Sequence, residues 1–156
     1  MGKKRIVKKA GGSVDQGLKA RSLSRVPKKR ILHGVLNIQS TYNNTIVSLA
    51  DAEGKVIMWS TSGSLGFSGA KKGTPFAAAK IGELLAEKAM LMGLKSVDAV
   101  VRGVGSGRES AIRAFIAKGV EIQSIKDKTP VPHNGPRARK PRRHTLHFGS
   151  DILFLD

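Results

Sequence analysis

The stretch Val100-Val101-Arg102-Gly103-Val104-Gly105-Ser106-Gly107-Arg108-Glu109-Ser110-Ala111-Ile112-Arg113-Ala114-Phe115 decides the fold. A β-branched apolar run ends at Val101, glycines follow at every second position, and an amphipathic pattern of helical period then begins. The stretch therefore reads as strand, tight loop, helix. Ser106 with Glu109 three residues on has the spacing of a capping box, which would start the helix at Gly107 and turn its free N–H groups toward the loop. Such a helix start favours anions. Arg102, Arg108 and Arg113 bracket it with planar donor forks that suit phosphate oxygens. Three readings fit the loop. A mononucleotide site lacks both the third glycine of a dinucleotide fingerprint, where Arg108 stands, and the Lys-Ser/Thr pair of a P-loop. Close packing of strand on helix would use the glycines for their size. Contact with polynucleotide phosphates is the reading that the charge of the whole chain favours.

Before this stretch, residues 31–40 alternate apolar and polar (Leu32, Leu36, Ile38) and predict a strand with one buried face. Residues 42–45 are turn chemistry, 46–50 a second strand, and 51–54 a hairpin turn into a third strand at 56–60. The glycine- and serine-rich segment 62–74 ends near Lys71-Lys72 and reads as an RNA-contacting loop or as a plain crossover. Thr74-Pro75 predicts an N-cap and first helical residue, with the helix running to Met92. Ala77, Ile81, Leu84, Leu85 and Met92 form its apolar face, and the methionines and Phe76 are assigned to the core. Residues 97–101 are nearly all apolar, as in a strand covered on both faces. A helix over 107–118 with Ile112, Phe115 and Ile116 inward and a strand over 120–125 complete the order β-β-β-α-β-α-β. This is a mixed α/β sheet with two helices packed against it.

At 156 residues the chain holds one core. Lys plus Arg number 28 against 11 Asp plus Glu, a formal charge of +17 that calls for a polyanionic partner. Its distribution divides the chain. Residues 1–30 carry 11 basic residues and one acidic, whereas 31–126 form a nearly balanced globular domain. Residues 127–144 are basic again and contain Pro130, Pro132, Pro136 and Pro141, which exclude helix and paired strand and leave an extended, arginine-studded arm. Both arms are expected to order only on their partner. Residues 145–156 are acidic and hydrophobic, of unknown role. No apolar run approaches a membrane span and no secretory signal core is present. Cysteine is absent, in keeping with a reducing compartment, so a cytoplasmic location is expected.

Several ordered motifs resemble the S-eleven family of small-subunit ribosomal proteins. They are His33-Gly34-Val35-Leu36-Asn37-Ile38 with Asn43-Asn44-Thr45, the run from Gly63 through Pro75 with its alanine-rich helix, and Arg102 through Glu109. Asp127-Lys128-Thr129-Pro130-Val131-Pro132-His133-Asn134-Gly135 and its basic end close the set. The resemblance covers about residues 29–143, and departs at Pro136 and in the 145–156 tail. It implies a ribonuclease-H-like fold without nuclease activity, on the platform of the small subunit. There it would bridge helices of 16S rRNA and help form the Shine–Dalgarno cleft for mRNA, beside ribosomal proteins S-seven and S-eighteen and initiation factor three. No cofactor is implied.

Candidate RNA-binding residues follow from the basic runs, the loops and these motifs. The N-terminal arm supplies Lys28, Lys29 and Arg30, and the first turn Asn43 and Asn44. The central loops supply Lys71, Lys72, Arg102, Gly105, Ser106, Gly107 and Arg108. The C-terminal arm supplies His133, Asn134, Arg137, Arg139, Lys140, Arg142 and Arg143.

An enzyme is not expected. A two-metal nuclease of ribonuclease-H type needs a carboxylate on its first strand, and residues 31–40 have none. His133, His144 and His147 lack carboxylate neighbours in sequence, so no metal site is assigned. One Trp, one Tyr and five Phe argue against a platform that stacks single-stranded bases. A general coating protein of DNA or RNA is the second function class. It would bind every duplex equally, where a ribosomal protein would prefer folded rRNA.

Overall fold

Alternating burial along strand β1 (His33–Ser40) sets the frame. Gly34, Leu36, Ile38 and Ser40 point inward, while His33, Val35, Asn37 and Gln39 point out, the period-two pattern of a pleated strand with one buried face. The structure is a computed structural model and describes residues 29–141. The proposed N-terminal arm over 1–28 with Lys28, the end of the C-terminal arm with Arg142 and Arg143, and the 145–156 tail lie outside the described residues.

Strands β2 (Thr45–Ala50) and β3 (Val56–Thr61) continue from β1 as an antiparallel meander. Helix α1 (Pro75–Leu91) then returns the chain to β4 (Ser96–Arg102), parallel to β1, and helix α2 (Gly107–Ala117) returns it to β5 (Glu121–Asp127), parallel to β4. The sheet order is β3-β2-β1-β4-β5. This is the mixed five-stranded α/β sheet with two helices expected from the sequence.

Both helices lie on one face and pack on each other, α1 over β2 and β3, α2 over β1, β4 and β5. Gly82 permits the approach, since a Cβ there would lie 2.8 Å from the Ala111 carbonyl oxygen and from the Ala114 methyl. The core between helices and sheet holds Leu36, Ile38, Val47, Leu49, Ile81, Leu85, Val97 and Phe115, all essentially inaccessible. Each such side chain stabilises the fold by about 1.5–3 kcal/mol relative to exposure.

Thr74 caps α1 as expected, its hydroxyl accepting the Ala77 N–H at 3.3 Å. Other expectations are corrected. Strand β4 is covered on one face only, because both crossovers put their helices on the same side, and its apolar Val100 is screened within the open face of the sheet. Leu32 precedes β1 and is exposed; its neighbour Ile31 enters the core instead, while the Leu32 carbonyl accepts the Lys95 and Ser96 N–H groups at the entry to β4. Phe76, Met90 and Ile116 are also exposed, since each lies on the outer side of its helix. Phe76 stands edge-on to Phe67 at 6.0 Å, with the Lys80 ammonium over its ring. The strand expected over 120–125 runs instead to Asp127.

Candidate nucleic-acid interface

Because β1, β4 and β5 are parallel, their C-terminal ends at Ser40, Arg102 and Asp127 share one edge of the sheet. The β1–β2 turn, the end of β3 and the start of α2 meet there. In open α/β sheets this is the edge where ligand-binding loops collect.

The glycines of the loop after β4 are spent on packing. Gly105 is buried and gives its N–H to the Ser40 carbonyl at 3.0 Å. A Cβ on it would overlap the Thr41 carbonyl oxygen and the Ser40 hydroxyl. Gly107 is buried too, and a Cβ there would come 2.5 Å from the Thr45 hydroxyl and 2.8 Å from the Ala78 methyl. The expected capping box does not form. Ser106 already has helical backbone angles (φ −69°, ψ −10°) instead of the extended ones that aim a cap at its own helix. Its hydroxyl donates to the Gly73 carbonyl at 3.1 Å, and Glu109 pairs with Arg113 at 3.0 Å.

The segment 62–74, read as a loop, holds two 3-10 turns, Gly63–Leu65 and Gly69–Gly73. It is tied down: the Ser62 hydroxyl bonds the Lys72 carbonyl at 2.7 Å, and Leu65 and Phe67 are buried. Lys71 and Lys72 stand on the second turn, beside the β1–β2 turn. A Cβ on Gly73 would overlap the Tyr42 carbonyl oxygen. Tyr42 and Asn43 are exposed on that turn, while Thr41 closes it by bonding both the N–H and the carbonyl of Asn44 at 3.1 Å. The Asn44 side-chain oxygen is buried without a partner among the described residues.

Arg102 is exposed at the same edge, but Arg108 is engaged. It donates to the Gly103 carbonyl at 2.9 Å and pairs with Asp127. Asp127 fixes the root of the C-terminal arm. One of its oxygens accepts the Thr129 hydroxyl at 2.5 Å and the Thr129 N–H at 2.9 Å, and the Thr129 hydroxyl in turn accepts the Gly103 N–H at 3.1 Å. The Lys128 N–H adds a bond to the Val101 carbonyl at 2.9 Å. The bonds from Thr129, and then Arg108, hold the Asp127 carboxyl down at about 2. From Pro130 to Pro141 the arm has no helix or strand and is exposed throughout, carrying His133, Asn134, Arg137, Arg139 and Lys140. A cleft of about 510 Å³ lies between α2 and β5, walled by Arg108, Asp127, Glu109, Arg113, Ile112 and Ile125. Its charges are already paired.

Lys29 and Arg30 lie at the opposite edge, where Lys29 pairs with Asp51 just after β2. That hydrogen bond raises the Lys29 ammonium and lowers the Asp51 carboxyl. The candidate residues thus fall into two groups at opposite ends of the strands, and the edge carrying the glycine loop, the lysine turn and the root of the C-terminal arm is the larger. Sequence reading missed Asp127 and Thr129 as the clasp of that arm. Their Asp-x-Thr spacing, with hydroxyl and N–H both returning to the carboxylate, is the signal that was available. It also missed the open-face network in which Asp98 accepts from Ser124 at 2.6 Å and contacts His33 at 3.1 Å. These bonds, Ser124 first, lower the Asp98 carboxyl. Among the described residues no cluster of three or more His, Cys, Asp or Glu could hold a metal ion, and no helix is long and apolar enough to cross a membrane.

The profile of the family "Ribosomal protein S11" matches residues 34–143. Three similar proteins carry the name small ribosomal subunit protein uS11. That of Acaryochloris marina is 53% identical over 79% of this chain and 95% of its own length. That of Solibacter usitatus is 55% identical over 74% and 87%, and that of Thermosipho melanesiensis 51% over 78% and 95%. The match takes in every helix and strand described above except His33 at the start of β1, together with the glycine loop, the lysine turn and most of the C-terminal arm. The chain belongs to the ribosomal protein S11 family, and is a structural constituent of the small ribosomal subunit and not an enzyme.

Proposed function

We propose that the chain binds 16S rRNA on the platform of the small subunit, joining separate rRNA helices through its two cationic arms and its loop-bearing sheet edge. In this reading it helps form the cleft that receives the Shine–Dalgarno region of mRNA, next to ribosomal proteins S-seven and S-eighteen and initiation factor three, in the bacterial cytoplasm. One observation carries the reading: the clasp of Asp127, Thr129 and Gly103 starts the exposed arginine arm at the edge that also bears Lys71, Lys72 and Arg102. Body and arm therefore offer cations along one continuous path. The domain supplies position, and the arms supply affinity by neutralising phosphates and releasing counterions.

The test is the salt dependence of binding to a platform rRNA fragment. Contact with roughly 6–10 phosphates weakens binding by about 10³ to 10⁵-fold between 50 and 200 mM salt. Deleting residues 1–28 and 129–156 should flatten that slope, and an unchanged slope removes the arms from the mechanism. Bulk DNA competing on equal terms with the rRNA fragment would favour a general coating protein.

A further inference from the structure

We propose that the helix-free face of the sheet is a second RNA surface, on which an unpaired stretch of RNA stacks one base on Trp59 and sets its phosphates against Arg102 and Lys126. The proposal rests on the reading of the chain as an RNA-binding protein and extends it to a face that neither arm occupies among the described residues.

Strand register defines the face. Trp59 on β3 is level with Ser48 on β2, Asn37 on β1, Val100 on β4 and Lys126 on β5, and all five point away from the helices. The next row holds Thr61, Ile46, Gln39 and Arg102. Trp59 is 63% exposed although it is the largest side chain on the sheet. A free-standing indole on a flat strand surface has its ring open to a base, and every base has a π-face to offer. Beside it run hydroxyl and amide groups that can meet base edges or sugars. Arg102 and Lys126, exposed, form no ion pair with a described residue. Asp98, on this face, accepts from Ser124 and contacts His33, and the nearby Lys126 charge helps to lower its carboxyl without forming an ion pair with it.

At about 4.8 Å per strand, Trp59 and Lys126 stand about 19 Å apart, the reach of a few extended nucleotides. Trp59 is flanked in its own row by the polar Ser48 and Asn37, which can meet base edges and which interrupt the apolar surface that Ile46 (37% exposed) and Val56 (54% exposed) add in the adjoining rows. A low count of aromatic residues limits how many bases can stack, not whether the exposed one does. A sheet with outward aromatics is also an established way to hold single-stranded RNA.

Trp59 is the chain's single tryptophan, so its fluorescence reports this face alone. The full-length protein is titrated with a short single-stranded oligoadenylate and, separately, with an RNA duplex of equal length, binding being followed by the anisotropy of labelled RNA. Expected is saturable quenching by the single strand only, with Trp59→Ala weakening single-strand binding about 5- to 150-fold while duplex binding holds. The double variant Arg102→Gln/Lys126→Gln should lower the salt slope for the single strand. Equal quenching by both RNAs, or single-strand binding with unchanged fluorescence, overturns the stacking proposal and leaves the arm mechanism standing. Quenching by small-subunit proteins but not by RNA overturns it too, and makes the face a protein interface. Binding of neither RNA overturns the stacking proposal alone, and the parent reading falls with it only if the platform rRNA fragment is not bound either. Should Trp59→Ala misfold, the wild-type titration still decides.

Discussion

Replacing Gly105 by alanine separates close packing from backbone conformation as the reason for the glycines after β4. A methyl on Gly105 would overlap the Thr41 carbonyl oxygen and the Ser40 hydroxyl and come 2.8 Å from the Thr41 carbonyl carbon. Two of these atoms belong to backbone, so the β1–β2 turn or the loop must move. Overpacking of this kind costs about 1–3 kcal/mol, and displacing the loop endangers the Gly105 N–H bond to Ser40, worth about 1 kcal/mol more. The sum is about 2–4 kcal/mol, a fall in Tm of roughly 10 to 30 °C for a folded body of about 100 residues. Two further variants complete the test. Gly54 has φ +85° and no atom within 4 Å of a built Cβ, so Gly54→Ala carries only left-handed strain, about 1–2 kcal/mol. Gly103 has φ +93° and its Cβ would overlap the Ser40 carbonyl, so Gly103→Ala carries both costs. Urea and thermal unfolding should rank the losses Gly103→Ala, Gly105→Ala, Gly54→Ala from largest to smallest. Gly105→Ala with wild-type stability, or with a smaller loss than Gly54→Ala, refutes the packing argument.

Two more expectations concern titrating groups. Asp127 has a folded value of about 2 against an ordinary 3.8, so its contribution is complete above about pH 4 and disappears as pH falls from 3.8 to about 2. Asp127→Asn should remove that part of the acid dependence, read from urea unfolding at successive pH values. Lys88 lies buried along α1, and burial lowers its ammonium below 10.5. In that window the unfolded chain binds more protons, so stability should rise with pH between the lowered and ordinary values. Lys88→Met should abolish the rise and lift the neutral-pH Tm by a few degrees.

The element order was legible because each element carries a local signal strong enough to stand alone. Alternation over β1, Thr74-Pro75 ahead of α1 and the glycine run between β4 and α2 each depend on a few neighbouring residues. What failed depended on a partner distant in sequence. The Ser106–Glu109 box has correct spacing, yet Ser106 instead finds the Gly73 carbonyl, 33 residues away. Period alone put Phe76, Met90 and Ile116 inside, because it marks a stripe without giving its width. Strand β4 read as doubly covered because its outward Val100 is as apolar as its inward neighbours, and the sequence does not say that both crossovers pass on one side.

Charge illustrates the same division at the candidate interface. Net charge identifies a polyanion binder, but which cations are available is a tertiary fact. Folding pairs Lys29 with Asp51, Lys80 with Glu83, Arg108 with Asp127, Arg113 with Glu109 and Lys118 with Glu87. An exposed pair of this kind adds little stability, about 0–1 kcal/mol, so its main consequence is that those cations meet a polyanion with a carboxylate already beside them. Lys71, Lys72, Arg102, Lys126 and the arm's Arg137, Arg139 and Lys140 enter no such pair with a described residue. The body is nearly charge-balanced by count, and most of its acids have a basic partner of their own, Asp98 alone among those described lying near enough to Lys126 to feel its charge, so unpaired cations gather on the loop edge, one side of the open face and the arm. Arg108, expected from its place beside the glycine loop to meet phosphate, has a second role in the folded chain, bracing Asp127 and the arm's root.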